Sequence, residues 1–137
     1  MLAACGLDRL DLAHEIGFRV EVEEMLPETG QGFLALQSRA EDAAALAVVG
    51  DADAGRVLLA ERACAALLGG GCLAPVATHA VLLADGQLWL RTWLALPDGS
   101  VVVEADARGD APVALAEQVA SAALARGGEA IVAAVRA

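Results

Sequence analysis

Two Asp-Gly dipeptides, Asp85-Gly86 and Asp98-Gly99, constrain this chain more than any other feature in it. Asp-Gly supplies the positive φ values that a tight hairpin needs. Around each pair lie runs rich in branched and aromatic residues, so Val76 to Leu83, Gln87 to Leu96 and Ser100 to Ala107 read as three antiparallel strands. In the middle run Leu88, Leu90, Leu94 and Leu96 fall on one face, with Trp89, Arg91 and Trp93 on the other. One face is core, and the opposite one is a partly covered or contact surface.

Helical patterns flank the strands. Asp51 and Asp53 can cap a helix running to Leu68, with Val57, Ala60, Cys64 and Leu68 on one face. Gly69-Gly70-Gly71 ends it, because three glycines cannot hold a helix against their backbone entropy. Asp110 and Pro112 open a last helical region, in which Ala116, Val119, Ala120, Ala123 and Leu124 form an apolar stripe. Gly127-Gly128 interrupts it before a short helix holding Ile131, Val132 and Val135. The chain from residue 52 onward therefore reads as helix, three-stranded meander, helix: a small α+β fold.

The first fifty residues are harder to pack. Residues 2–16 suggest a helix weakened by Gly6, with Glu15 and Arg19 one turn apart and able to pair. Gly30 and Gly32 flank Gln31, which marks a bend needing positive φ or close backbone approach. Phe33 to Gln37 reads as a short buried strand and Ala40 to Val49 as a helix. A lone strand needs neighbours that this sequence does not obviously offer.

Composition removes whole classes of chemistry. The 137 residues carry 19 acidic and nine basic side chains, all nine of them arginine, for a net charge of -10. No basic stripe is present to displace counterions from nucleic acid, and no apolar run is long enough to span a membrane. Without lysine there is no Schiff-base or P-loop lysine, so any carboxylate substrate falls to arginine. Three cysteines at wide spacing and two histidines give neither CxxC nor HExxH, hence no expected metal site. An odd, sparse cysteine count suits a reducing, cytoplasmic setting. There is no GxSxG, and Gly30-Gln31-Gly32 is too short for a dinucleotide loop.

Among the remaining candidates, Cys72 sits on the glycine stop, where a thiol serves as nucleophile or covalent anchor; its ordinary alternative is a small buried apolar residue. Cys64 and Cys5 read as structural. His79 in its strand reads as hydrogen-bonded or exposed, and His14 as a histidine placed near a helix C-terminus. Arg9 and Arg39, each beside an element end, are surface residues by default.

Three segments in order resemble one family. Leu26-Pro27, Gly30-Gln31-Gly32-Phe33-Leu34-Ala35-Leu36 and Arg39 are similar to the LPxxGQGxLAxxxR signature of porphobilinogen deaminase (hydroxymethylbilane synthase). Ala60-Glu61-Arg62-Ala63, Leu68 and Gly70-Gly71-Cys72-Leu73-Ala74-Pro75 resemble its AERA and GGCxxP block, and the Asp-Gly turns resemble its C-terminal meander. The resemblance implies a transferase that joins four porphobilinogen units on a dipyrromethane cofactor in tetrapyrrole biosynthesis. Cys72 matches the cysteine that carries the cofactor through a thioether. Arg9 matches a substrate-binding arginine, Gln31 a glutamine lining the cleft, and Arg39 the arginine after the GQG strand. Asp11 stands where the family has glycine, Phe33 where it has a small residue, and Ala54 where it has threonine.

The resemblance also implies that only part of a three-domain enzyme is present: residues 1–28 as the tail of domain 2, 29–51 as a strand and helix of domain 1, and 52–137 as the C-terminal cofactor-anchoring domain. The family's catalytic aspartate has no counterpart here, so no catalytic residue is assigned and the chain alone is expected to be inactive. Its expected partners are porphobilinogen, the growing pyrrole chain and a separately encoded N-terminal half; neither nucleic acid nor membrane is expected. The rival reading is a non-catalytic α+β interaction module in which Cys72 is merely retained.

Overall fold

The computed structural model of the chain describes residues 2–69 and 74–136. Three antiparallel strands in the order β1-β2-β3 form its only sheet among the described residues: β1 (Val76–Leu82), β2 (Leu88–Ala95) and β3 (Val102–Gly109). Gly86 and Gly99 take φ +84° and +72°, as the two Asp-Gly turns require. Register follows from the turns, with Ala80 opposite Leu90 and Leu90 opposite Ala107.

Alternation along β2 is complete. Leu88, Leu90, Thr92 and Leu94 are buried, while Trp89, Arg91 and Trp93 are half-buried on the outer face. Leu96 lies just past the strand and packs at the rim of the core. The inner face is covered by helices, numbered here with two short ones that precede them: α1 (Ala4–Arg9), α2 (Ala43–Leu46), α3 (Ala52–Leu67), α4 (Pro112–Ala123) and α5 (Glu129–Arg136). The Asp51 carboxylate accepts the backbone N–H groups of Asp53 and Ala54 and so fixes the start of α3. Gly69, at φ +79°, terminates it. Ala60, Cys64 and Leu68 of its apolar face meet Val119, Ala120 and Ala123 of α4 in one core cluster with the β2 leucines and Ile131. Between α4 and α5 the wide turn Leu124–Gly128 breaks the helix at Gly127, φ +107°.

Residues 2–50 depart from the sequence expectations. The helix expected over 2–16 is confined to α1, followed by a 3-10 turn at Ala13–Glu15. With no helix joining them, Glu15 and Arg19 do not pair; Arg19 instead forks onto the Asp8 carboxylate at 2.6 and 3.1 Å. That guanidinium holds the Asp8 carboxyl below the usual carboxylate range. The expected helix from Ala40 to Val49 is split into 3-10, α2 and 3-10 pieces that bury nothing. Phe33 to Gln37 form no strand, and Leu34 is 86% exposed. Strand conformation needs ladder partners, and the described residues offer none there. Leu26 alone in this stretch is buried.

No helix among the described residues is long and apolar enough to cross a membrane.

Candidate functional site

The site begins with the edge of β1. An edge strand presents unpaired N–H groups, and here one of them, that of Ala80, donates to the Glu61 Oε1 of α3 at 2.9 Å. The other carboxylate oxygen, Oε2, accepts the backbone N–H of Gly30 at 2.8 Å. Glu61 is 2% exposed, so this buried carboxylate is satisfied by two backbone donors rather than by an arginine. His79 of β1 adds its Nδ1 at 3.5 Å from Oε1.

A hydroxyl chain runs alongside. The Thr78 hydroxyl donates to the Glu61 carbonyl at 3.2 Å, and the hydroxyls of Thr29 and Thr78 are 2.5 Å apart. A hydroxyl has one proton to give, so Thr29 is the donor to Thr78. These bonds draw the 27–32 loop against β1. Gly30 adopts φ +77°, the left-handed turn that the GQG spacing anticipates. Gln31 thereby lines a cleft of about 320 Å³ together with Pro27, Glu28, Phe33, Glu61 and His79.

The sequence-predicted residues fall in different places. Gln31 is in the cleft; Arg9, in the last turn of α1, and Arg39, before the 3-10 turn at Ala40–Asp42, are exposed and do not line it. Cys72 lies outside the described residues. Among the described residues, the guanidiniums of Arg9, Arg39 and Arg62 are free of hydrogen bonds and ion pairs, whereas Arg19, Arg56, Arg91 and Arg126 are engaged with protein groups. Asp11 has φ +57°, the only non-glycine described residue with positive φ. It occupies the position where the resembling family has glycine, and aspartate is among the few residues that tolerate this conformation.

Cys64 is fully buried, and burial pushes its thiol up to about 12, which leaves it inert at neutral pH. Cys5, expected to be structural, is instead an exposed free thiol on α1, because α1 buries no residue. No group of three or more His, Cys, Asp or Glu among the described residues could hold a metal ion. Sequence reasoning gave no role to Glu61 and treated His79 only as a strand residue. Their signal was the charged Glu61 on an otherwise apolar helix face, a placement that demands a buried partner.

A helix and a meander that together hold a glycine-flanked glutamine beside a cleft define an α+β domain with a cleft at the edge of its sheet. Residues 56–125 match the model of the porphobilinogen deaminase C-terminal domain, and residues 1–47 that of the porphobilinogen deaminase dipyromethane cofactor binding domain. The chain belongs to the porphobilinogen deaminase family. It is 40% identical over 139 residues to the porphobilinogen deaminase of Acidithiobacillus ferrooxidans, a match covering 99% of this chain and 45% of that protein. It is 44% identical over 138 residues to the porphobilinogen deaminase of Bordetella parapertussis, covering 97% of this chain and 44% of that protein. The chain thus spans about half the length of the curated relatives it matches.

Proposed function

We propose that this chain is the C-terminal part of a cytoplasmic hydroxymethylbilane synthase, the transferase that joins four porphobilinogen units, with loss of ammonia, into hydroxymethylbilane for tetrapyrrole biosynthesis. Cys72 anchors the dipyrromethane through a thioether, Gln31 lines the cleft that receives the pyrroles, and Arg9 and Arg39 bind their carboxylate arms. When bound, the dipyrromethane supplies the pyrrole carbon to which substrate is joined. The observation that carries this reading is the pair of family matches converging on one built cleft, with Gln31 from residues 1–47 and Glu61 and His79 from residues 56–125.

The donor chemistry fits the cofactor in part. An acetate- and propionate-bearing group needs amide and guanidinium donors, and the chain offers Gln31 at the cleft and the unengaged Arg9 and Arg39 outside it. Completion of the site falls to residues beyond this sequence. Support comes from residues 2–50, where Leu34, Leu36, Phe18 and Val48 are exposed and a cleft of about 640 Å³ is lined by Phe33, Leu36, Leu46 and Leu58. In this reading residues 1–28 and 29–51 pack onto the family's other two domains, and residues 52–137 form the third.

The test is to assay porphobilinogen consumption, and the mass added to Cys72, for the chain alone and with a polypeptide equivalent to the remaining N-terminal length of a relative. The chain alone should be inactive, and the complex should turn over and load Cys72. Turnover by the chain alone refutes the partial-enzyme reading. Full activity of Cys72→Ser in the complex refutes the anchor and favours a module in which the thiol is merely retained.

A further inference from the structure

We propose that Glu61 is a positioning residue for the cleft: its buried carboxylate clamps the Gly30-Gln31 loop to the edge of β1 and so fixes where the Gln31 amide is presented. The proposal rests on Gln31 acting in the cleft. Three observations carry it. Glu61 spends both carboxylate oxygens on backbone donors from separate segments, Gly30 at 2.8 Å and Ala80 at 2.9 Å. Its own carbonyl takes the Thr78 hydroxyl, which in turn receives Thr29, so the loop is tied down on both sides of the Thr29-Gly30 peptide. The two tied segments belong to different family matches, Gly30 within residues 1–47 and Ala80 within residues 56–125.

A structural role alone does not explain this expense. Burying a carboxylate is costly unless it is fully hydrogen-bonded, and an apolar residue at this position of α3 would extend the Ala60, Cys64 face without that cost. What the carboxylate does that an apolar residue cannot is accept the Gly30 N–H of a half-buried loop that turns at φ +77°. Glu61 lines the same cleft as Gln31, so the clamp and the clamped amide share one wall.

Glu61→Gln discriminates. Its amide has one acceptor oxygen, so one of the two backbone N–H groups faces an NH2 donor instead. In the chain as it stands, amide hydrogen exchange by NMR should show Gly30 protected, and in Glu61→Gln its exchange should rise roughly ten- to hundredfold while Leu90 in the sheet changes little. An unprotected Gly30 in the unaltered chain overturns the clamp, and an equal rise at Leu90 reduces Glu61 to general support of the fold and overturns positioning. Should Glu61→Gln not fold, Thr29→Val reads the same clamp from the loop side; several-fold faster exchange at Gly30 supports it and no change overturns it. In the complemented enzyme, Glu61→Gln and Gln31→Ala should be non-additive in turnover, and additive losses overturn action through Gln31. If the unaltered complex shows no turnover, the enzyme reading fails while the exchange experiment still decides the clamp.

Discussion

Removing residues 1–50 should leave a cooperatively folded unit. The core cluster runs from Ala60 to Ile131 and takes no member from the first fifty residues. What those residues contribute can be itemised. Burial of Leu26 is worth about 1.5–3 kcal/mol. The Gly30 bond to the Glu61 carboxylate adds about 1.5–3 kcal/mol and the Thr29–Thr78 bond about 1 kcal/mol. The Arg91–Glu23 pair, at 3.6 Å with Glu23 largely exposed, adds about 0–1 kcal/mol. Against these stands the ordering of the 26–30 backbone at about 1–2 kcal/mol per residue, which offsets most of the gain. The net loss on truncation is therefore at most about 3 kcal/mol, and Asp51 is kept, so α3 retains its cap. Trp89 and Trp93 both lie in β2, so tryptophan fluorescence during urea unfolding reports the sheet directly. The truncated chain should give a single transition displaced to modestly lower urea. Absence of a cooperative transition, or a loss beyond about 5 kcal/mol, would show that residues 2–50 are part of the core and refute the reasoning.

Three further outcomes follow from two buried residues, Cys64 and Gly128. In a Cys72→Ser background, a thiol reagent should label Cys5 in the folded chain and reach Cys64 only on unfolding. Because burial raises the Cys64 thiol from 9.0 to about 12, the folded state holds a proton that the unfolded chain releases at lower pH. Stability from this group is complete below about pH 9 and is lost as pH rises through 12, on the order of 4 kcal/mol in all; Cys64→Ala should flatten that part of a pH-stability profile. Gly128→Ala should cost about 1–3 kcal/mol in urea unfolding, since its Cβ would lie 2.8 Å from the Ala123 carbonyl oxygen and 3.2 Å from its carbon; an unchanged midpoint would mean that the turn between α4 and α5 shifts freely.

What could be read from the sequence was what local chemistry decides alone. The Asp-Gly turns, the β2 alternation and the Asp51 cap each carry their own geometric cause within a few residues, and each appears in the structure. Phe33 to Gln37 carries a strand-like apolar run too, but a run specifies a strand only when another strand accepts its ladder. The same limit hid the clamp. Glu61 reaches Gly30 across 31 positions of sequence and Ala80 across 19, so nothing within its own helix announces the bonds. The Gly-Gln-Gly spacing disclosed a bend, and Gly30 supplies it, but spacing could not reveal that the bend is bonded to α3 and β1. Arg9 and Arg39 were recognisable by resemblance, yet the elements that bear them bury nothing, so their position relative to the cleft has no determinant in the core.

The distribution of apolar surface ties these failures to function. From residue 52 onward a core closes around β2 with members from both long helices and the sheet, and the exposed Leu59, Leu67, Val101, Val102 and Val113 stand outside it. Over residues 2–50 no such core closes: Leu34, Val48 and Phe18 stand in solvent while the same stretch carries the unengaged Arg9 and Arg39. Evenly scattered apolar residues on a surface need no explanation, but a stretch of fifty that buries one leucine does. Apolar side chains and free guanidiniums in one stretch are what the proposed function requires of residues 2–50, the first to pack on further domains of the enzyme and the second to face a carboxylate. Net charge, at -10, therefore does not argue against the proposed anionic ligand: Glu61 is held by backbone donors and Asp8 by Arg19, while Arg9, Arg39 and Arg62 carry guanidiniums that no protein group among the described residues engages.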